Sequence, residues 1–415
     1  MPVTAVRLDA VQVLAVAALG VAMGTWLKRR ISLLDRLHIP ASVLGGMLWA
    51  LLVLLLRDRW LNVEMDMTLR DILMVAFFTS VGMSARLRMI RQGGRQVLVF
   101  WLLATGGAVL QNAAGIGLAL LMRLDPLIGV VCGSVAAAGG PATALAFGAT
   151  FEQMGLTGAT TLGIAAAMFG ITSSGLLGGY AGGRIIERQG LRPVAPANTA
   201  DGLGELGHSA HAGDVPEPRA SLAVERTVPG KASLLGNVVA IAVAMGLGTL
   251  LSGAIARAGV VLPAYIGAMV AAALLRNLDD RLHFARIAQH HIDEIAAVAL
   301  NLFIVMALLT LRLWELVHLA GPVLLILIAQ VVLTWLLAAA VSFPVMGRDY
   351  DSAVMAAGYI GFMLGTTANA LACMQVLTEK YGPAVRAVMV VSLVGAFLID
   401  FSNALVITVT ANLLR

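Results

Sequence analysis

The sequence predicts an all-α polytopic membrane protein made of two inverted-topology repeats of about five transmembrane helices, each with a re-entrant hairpin. Three observations lead there. The chain is 59% hydrophobic and only 12% charged, at a mean hydropathy of +0.90. A polar segment splits its apolar blocks into two sets, and two glycine-broken apolar runs share one register between the sets. A soluble fold of 415 residues has no core large enough to hide that much apolar surface.

The apolar blocks read as spans at about 8–27, 39–56, 68–85, 96–121 and 156–182, and again at about 234–256, 260–275, 293–311, 318–343 and 384–411. Each approaches the roughly 20 residues needed to cross about 30 Å of hydrocarbon, where only helices or closed barrels satisfy their own backbone. The 44 glycines suit helices that approach closely in lipid. A sequence pI near 9.6 could suggest nucleic acid, but the basic residues lie in short loops between apolar blocks, and membrane topology accounts for them. The first block is followed by Lys28-Arg29-Arg30, the reverse of the charge order in a cleaved signal peptide. Cys132 and Cys373 sit singly in apolar stretches, which supports neither a disulfide framework nor a metal site.

Residues 184–233 differ in kind. Pro193, Pro196, Pro216, Pro218 and Pro229, mixed charges and little periodicity mark a linker. It separates a first membrane repeat, 1–183, from a second, 234–415. His208 and His211 within it have no carboxylate or cysteine pattern that would make a metal site. Between the halves, a constant shift of 226 residues brings Phe77 onto Phe303, Arg86-Leu87 onto Arg312-Leu313, Asp125 onto Asp351 and Gly139 onto Gly365. Arg, Asp and Gly keeping one register are poorly explained by an Ala- and Leu-rich composition, so a duplication is expected.

Charge gives the repeats their orientation. Basic residues gather at Lys28, Arg29, Arg30 and Arg36, then at Arg86, Arg88, Arg91 and Arg95, and again in the linker. The 57–71 loop instead balances Arg57, Arg59 and Arg70 with Asp58, Glu64, Asp66 and Asp71. The positive-inside rule then puts the linker inside and both termini outside. Five spans per half satisfy this only if runs 126–150 and 352–376 each enter and leave on one side. The rival reading makes both of them kinked spans packed by glycine. Paired, glycine-interrupted segments in inverted repeats point to a secondary transporter with its site near the midplane.

The candidate residues are few. In the first run they are Gly139, Gly140 and Thr143; in the second, Gly365, Thr366, Thr367 and Asn369. Hydroxyls and an amide after a glycine turn suit a helix N-terminus facing an anion, and their oxygens suit Na⁺. Ordinary capping and interhelical hydrogen bonding are the alternative. Asp400 lies inside the last span, where a carboxylate is costly without a partner, and Asn403 shares its face at i+3. Gln111-Asn112 form a polar island in span four, either as ion ligands or as glue between helices. Ser80 and Asn301 read as structural. Ser173-Ser174 has no histidine within the spans, and no HExxH or GxSxG stands in context, so no enzyme is expected.

Several stretches resemble the bacterial sodium/glutamate symporter family: Phe77 to Gly82, Leu110 to Gly117, Leu124-Asp-Pro-Leu127 and Gly133-Ser134. So do Met306 to Leu316, Asp349-Tyr-Asp351, Met374-Gln375, Thr378-Glu379 and Gly395 to Ile407. The resemblance implies Na⁺-coupled glutamate uptake by alternating access, without a cofactor, in a lipid bilayer and plausibly as a homodimer. The chain departs from the family pattern at Pro141-Ala142-Thr143-Ala144 and at Gly365-Thr-Thr-Ala-Asn-Ala370, both inside the expected site. Symport of another carboxylate or amino acid, driven by Na⁺ or H⁺, is the alternative on this scaffold. A passive channel is the alternative from another class.

Overall fold

The computed structural model describes residues 4–31, 34, 39–56, 61–193, 234–257, 263–282, 287–311 and 320–414. The expectations placed on Arg36, on most of the linker with His208 and His211, and on Arg312 to Leu316 lie outside these residues. So do those on Arg57, Asp58 and Arg59.

The described chain is mostly helical, with one departure from an all-α fold. Strand β1 (Thr4–Leu8) pairs in parallel with β2 (Leu61–Met65), Val6 lying opposite Val63. Parallel strands need a long crossover, and helices α1 (Ala10–Arg30) and α2 (Ala41–Leu56) provide it. An ion pair of 2.7 Å between Arg7 and Glu64 spans the two strands. Part of the stretch read as a charged loop is therefore an edge-paired strand. Asp9 starts α1 with a capping box, accepting from the Gln12 N–H while the Gln12 side chain reaches back to its own N–H.

After α3 (Thr68–Met83), α4 runs Leu87–Leu121 with a kink at Gly94, so its membrane-length part is Gly94–Leu121. Asp125 caps the short α5 (Pro126–Val130), with Pro126 at the first turn where no donor is lost. An irregular turn, Val131–Val135, leads to α6 (Gly140–Gln153) and then to α7 (Ala159–Gln189). The chain resumes with α8 (Leu234–Arg257), α9 (Ala264–Leu282), α10 (Gln289–Leu309) and α11 (Ala320–Leu337). Helices α12 (Tyr350–Met363), α13 (Thr367–Tyr381), α14 (Val385–Leu393) and α15 (Ile399–Leu413) complete it. Among the described residues, α1, α4, α7, α8, α10 and α11 are long and apolar enough to cross a membrane, and α2 and α15 are shorter apolar helices.

The helices pack as two bundles, and each bundle draws on chain from both sides of the linker. One holds α1, α2 and α3 with α8, α9 and α10; the other holds α4 to α7 with α11 to α15. They meet chiefly where α6 lies on α10 and where α3 approaches Val394–Leu398. Outward-facing Leu324, Leu325, Ile328 and Val332 on α11 leave an apolar surface suited to lipid. Arg276 is buried: it donates to the Ile287 carbonyl at 2.8 Å and pairs with Asp280. Its charge also ties α9 to the start of α10.

Candidate substrate and ion site

Both glycine-broken runs are breaks between two helices, and in each the freed backbone finds polar partners. At the first break, Gly133 departs from helical geometry within the Val131–Val135 turn. The N–H of Ser134 donates to Asn112 Oδ1 at 2.9 Å, and its carbonyl accepts from Asn403 Nδ2 at 3.0 Å and from the Gly139 N–H at 2.9 Å. Gly140 then turns the chain with φ +64°, a conformation in which a Cβ is penalised. Pro141 follows in the first turn of α6, where its missing N–H costs no helical bond.

At the second break, α12 stops at Met363 and α13 starts at Thr367. Gln111 Nε2 donates to the Met363 carbonyl at 2.8 Å and to Thr334 Oγ1 at 3.1 Å. Thr366 is extended and caps α13: its hydroxyl accepts from the Asn369 N–H and donates to Asn369 Oδ1 at 2.8 Å. Asn369 Nδ2 reaches the Ile171 carbonyl on α7 at 3.4 Å, and Thr367 Oγ1 donates to the Gly395 carbonyl at 2.6 Å. Gly170 of α7 packs directly on the turn, since a Cβ there would lie 2.2 Å from the Leu364 oxygen.

The two breaks meet. A Cβ on Gly140 would lie 3.3 Å from both the Gly365 carbonyl oxygen and Thr366 Cγ2. Helices α6 and α13 therefore begin at one junction, where each helix N-terminus brings unpaired N–H groups and roughly half a positive charge. No Lys or Arg occurs in 126–150 or in 352–376. The junction can thus hold a carboxylate through helix ends and the Thr143 hydroxyl instead of a cationic side chain, the Thr366 and Thr367 hydroxyls already donating within the fold.

Of the predicted residues, the junction gathers Gly139, Gly140, Gly365, Thr366, Thr367 and Asn369. Thr143 sits on the first turn of α6, 7% exposed and without a side-chain hydrogen bond among the described residues. Gln111, Asn112 and Asn403 are buried beside the breaks and bond to backbone groups there. Asp400 stands apart, half-buried and without a hydrogen bond or ion pair among the described residues. Its i+3 neighbour Asn403 is engaged with Ser134.

The reading by sequence missed Ser134 and Thr334 as site residues, and also Gln330, whose Nε2 donates to the Gln111 carbonyl at 2.8 Å. A lone glutamine inside an apolar span carried the same signal as Gln111 and could have been found. Ser80 and Asn301 bond to carbonyls four residues back on their own helices, as structural residues do.

A cleft of about 570 Å³ opens between the bundles, lined by Arg70, Asp71, Glu152, Thr160, Phe303 and Leu145 among others. Leu145 is five residues from Gly140 on α6, about 7.5 Å along the axis at 1.5 Å per residue. The cleft thus comes within two helical turns of the junction.

A family model described as sodium/glutamate symporter matches residues 6–383. The chain is 37% identical over 404 residues to the sodium/glutamate symporter of Escherichia coli (strain K12), covering 97% of each. It is 32% identical over 405 residues to that of Haemophilus influenzae (strain ATCC 51907 / DSM 11121 / KW20 / Rd), covering 96% of each. This chain belongs to the sodium/glutamate symporter family.

Proposed function

We propose that the protein is a sodium-coupled symporter that imports glutamate across the bacterial inner membrane by alternating access. The observation that carries the site is the meeting of the α6 and α13 N-termini at Gly140 and Gly365, with neutral donors only. Glutamate's carboxylates lie against the N–H groups of the junction and the Thr143 hydroxyl, with Thr366, Thr367 and Asn369, whose side-chain protons are donated within the fold, shaping the site and Gly139, Gly140 and Gly365 allowing the approach. Sodium occupies oxygen sites among Gln111, Asn112, Asp400 and Asn403. Import of a monoanion with two or more Na⁺ moves net positive charge inward. Each such charge gains about 2.3 kcal/mol per 100 mV of inside-negative potential.

In this reading the runs 126–150 and 352–376 are re-entrant hairpins, one from each of two inverted repeats, 1–183 and 234–415. The composition of each bundle supports this, because each takes corresponding helices from both halves. The 184–233 linker is cytoplasmic, both termini are periplasmic, and the protein assembles as a homodimer.

Labelled glutamate uptake into proteoliposomes under an imposed Na⁺ or H⁺ gradient tests the activity. Na⁺ is expected to drive accumulation and unlabelled glutamate to exchange with label. Uptake that follows only a proton gradient, or that is competed better by another carboxylate than by glutamate, would overturn the assignment.

A further inference from the structure

The polar groups left over at the breaks are all oxygens. Ser134 is 0% exposed and Asn403 1% exposed, yet the Ser134 hydroxyl and Asn403 Oδ1 reach no hydrogen-bond partner among the described residues. Gln111 Oε1 and Gln330 Oε1 are in the same condition. Exchanging the ends of these amides does not cure it. Asn403 Nδ2 faces the Ser134 carbonyl, Gln111 Nε2 the Met363 carbonyl and Gln330 Nε2 the Gln111 carbonyl. A carbonyl only accepts, so a flipped amide would set oxygen against oxygen. The amide donors have gone to the broken backbone, and buried oxygens without partners remain.

Two of these oxygens belong to residues that touch. Asn403 reaches Ser134 across 3.0 Å from α15, so its amide oxygen and the Ser134 hydroxyl flank the same stretch of the Val131–Val135 turn. We propose that the Ser134 hydroxyl and the Asn403 amide oxygen are two ligands of a buried sodium ion seated against this turn, separate from the substrate's place at the helix junction. The proposal rests on the sodium-coupled reading above and adds Ser134 to it.

A hard cation takes neutral oxygen ligands, and a hydroxyl and an amide oxygen are of that kind. Carbonyls of the irregular turn and water would complete the shell. The Ser134 carbonyl links this ion to the substrate, because it accepts from Asn403 and also from the Gly139 N–H at the tip. An ion that holds Ser134 and Asn403 in place thereby sets the tip from which α6 begins. Sodium bound first would raise the affinity for the anion.

Ser134→Ala is a clean test, since the hydroxyl makes no hydrogen bond that the substitution would remove. Two measurements on the full chain decide it: thermal unfolding in detergent against NaCl, with choline chloride as the ionic control and no glutamate present, and sodium activation of uptake in proteoliposomes. The expected result is unchanged melting in choline, at least a tenfold rise in the sodium concentration for half-maximal effect in both assays, and a glutamate KM within twofold of wild type at saturating sodium. Wild-type sodium dependence in the variant overturns the site and leaves sodium coupling standing. Equal destabilisation in sodium and choline also overturns it, and assigns the hydroxyl to a buried water. A wild-type protein with no sodium response in either assay would remove the transport reading itself.

Discussion

A Cβ added to Gly140 would stand 3.3 Å from the carbonyl oxygen of Gly365, so the tip of the first broken run rests on the turn of the second. Two segments 225 positions apart in sequence make one polar junction, and neither can be altered alone. Gly140→Ala must hold a side chain at φ +64°, a cost of about 1–2 kcal/mol for an L-residue, and it also crowds Gly365. The variant is expected to melt at a lower temperature and to lose most of its uptake. Wild-type uptake would show that the junction is not where substrate passes.

Gln111→Leu keeps the volume roughly constant and removes the donor to the Met363 carbonyl, which lies at the end of a buried helix. An unsatisfied buried acceptor costs about 1–3 kcal/mol. A lower melting temperature in detergent is expected with and without sodium, because the bond to the Met363 carbonyl is lost in both; a weaker sodium response on top of it would follow from loss of the Gln111 oxygen. Loss of sodium response without loss of stability would instead make Gln111 a ligand.

Thr367 separates a hydroxyl effect from a shape effect. Thr367→Ser preserves the bond to the Gly395 carbonyl, and Thr367→Val removes it at nearly constant volume. Uptake measurements should show Ser close to wild type and Val with a clear rise in glutamate KM. Equal behaviour of the two variants would place Thr367 outside the site.

Gly170→Ala addresses how the second turn is held. The added carbon would lie 2.2 Å from the Leu364 oxygen, so α7 and the turn must separate. Overpacking of this kind costs about 1–3 kcal/mol. Reduced thermal stability and reduced uptake are expected together.

Asp349 gives a pH prediction outside the membrane spans. Burial pushes its carboxyl up, but hydrogen bonds from Ser352 and Arg386 outweigh this and hold it below its ordinary value of 3.8. The contribution is therefore present above about pH 4, where the unfolded carboxyl is ionised, and fades as pH falls through the lower folded value. Asp349→Asn should melt below wild type at pH 7 and at pH 5, with the gap closing toward pH 3. A gap that stays constant to pH 3 would show that the charge is not what stabilises this cap.

Much of this was visible along the chain. Apolar block length located the spans, because hydrocarbon thickness sets helix length and loop charges are excluded from it. The glycine breaks were equally plain, since Gly and Pro change the backbone wherever they stand. The strand at Thr4–Leu8 was not, because five residues with one charge carry too little pattern and the partner lies beyond two helices. Nor was the separation of Asp400 from Asn403: helical spacing gave them one face, and packing took only Asn403 to Ser134.

By itself, the sequence determined which stretches form apolar helices, where the chain breaks, and which polar side chains are carried into the apolar interior. These follow from local properties of residues and their spacing. The tertiary structure alone decided that the breaks meet at Gly140 and Gly365, that Gln111, Asn112 and Asn403 serve freed backbone groups, and that the Ser134 hydroxyl is left without a partner. The reason is that a broken backbone in an apolar interior takes its hydrogen bonds from whichever helix packs beside it. Asn403, 269 residues from Ser134, is such a neighbour only once the two bundles have formed.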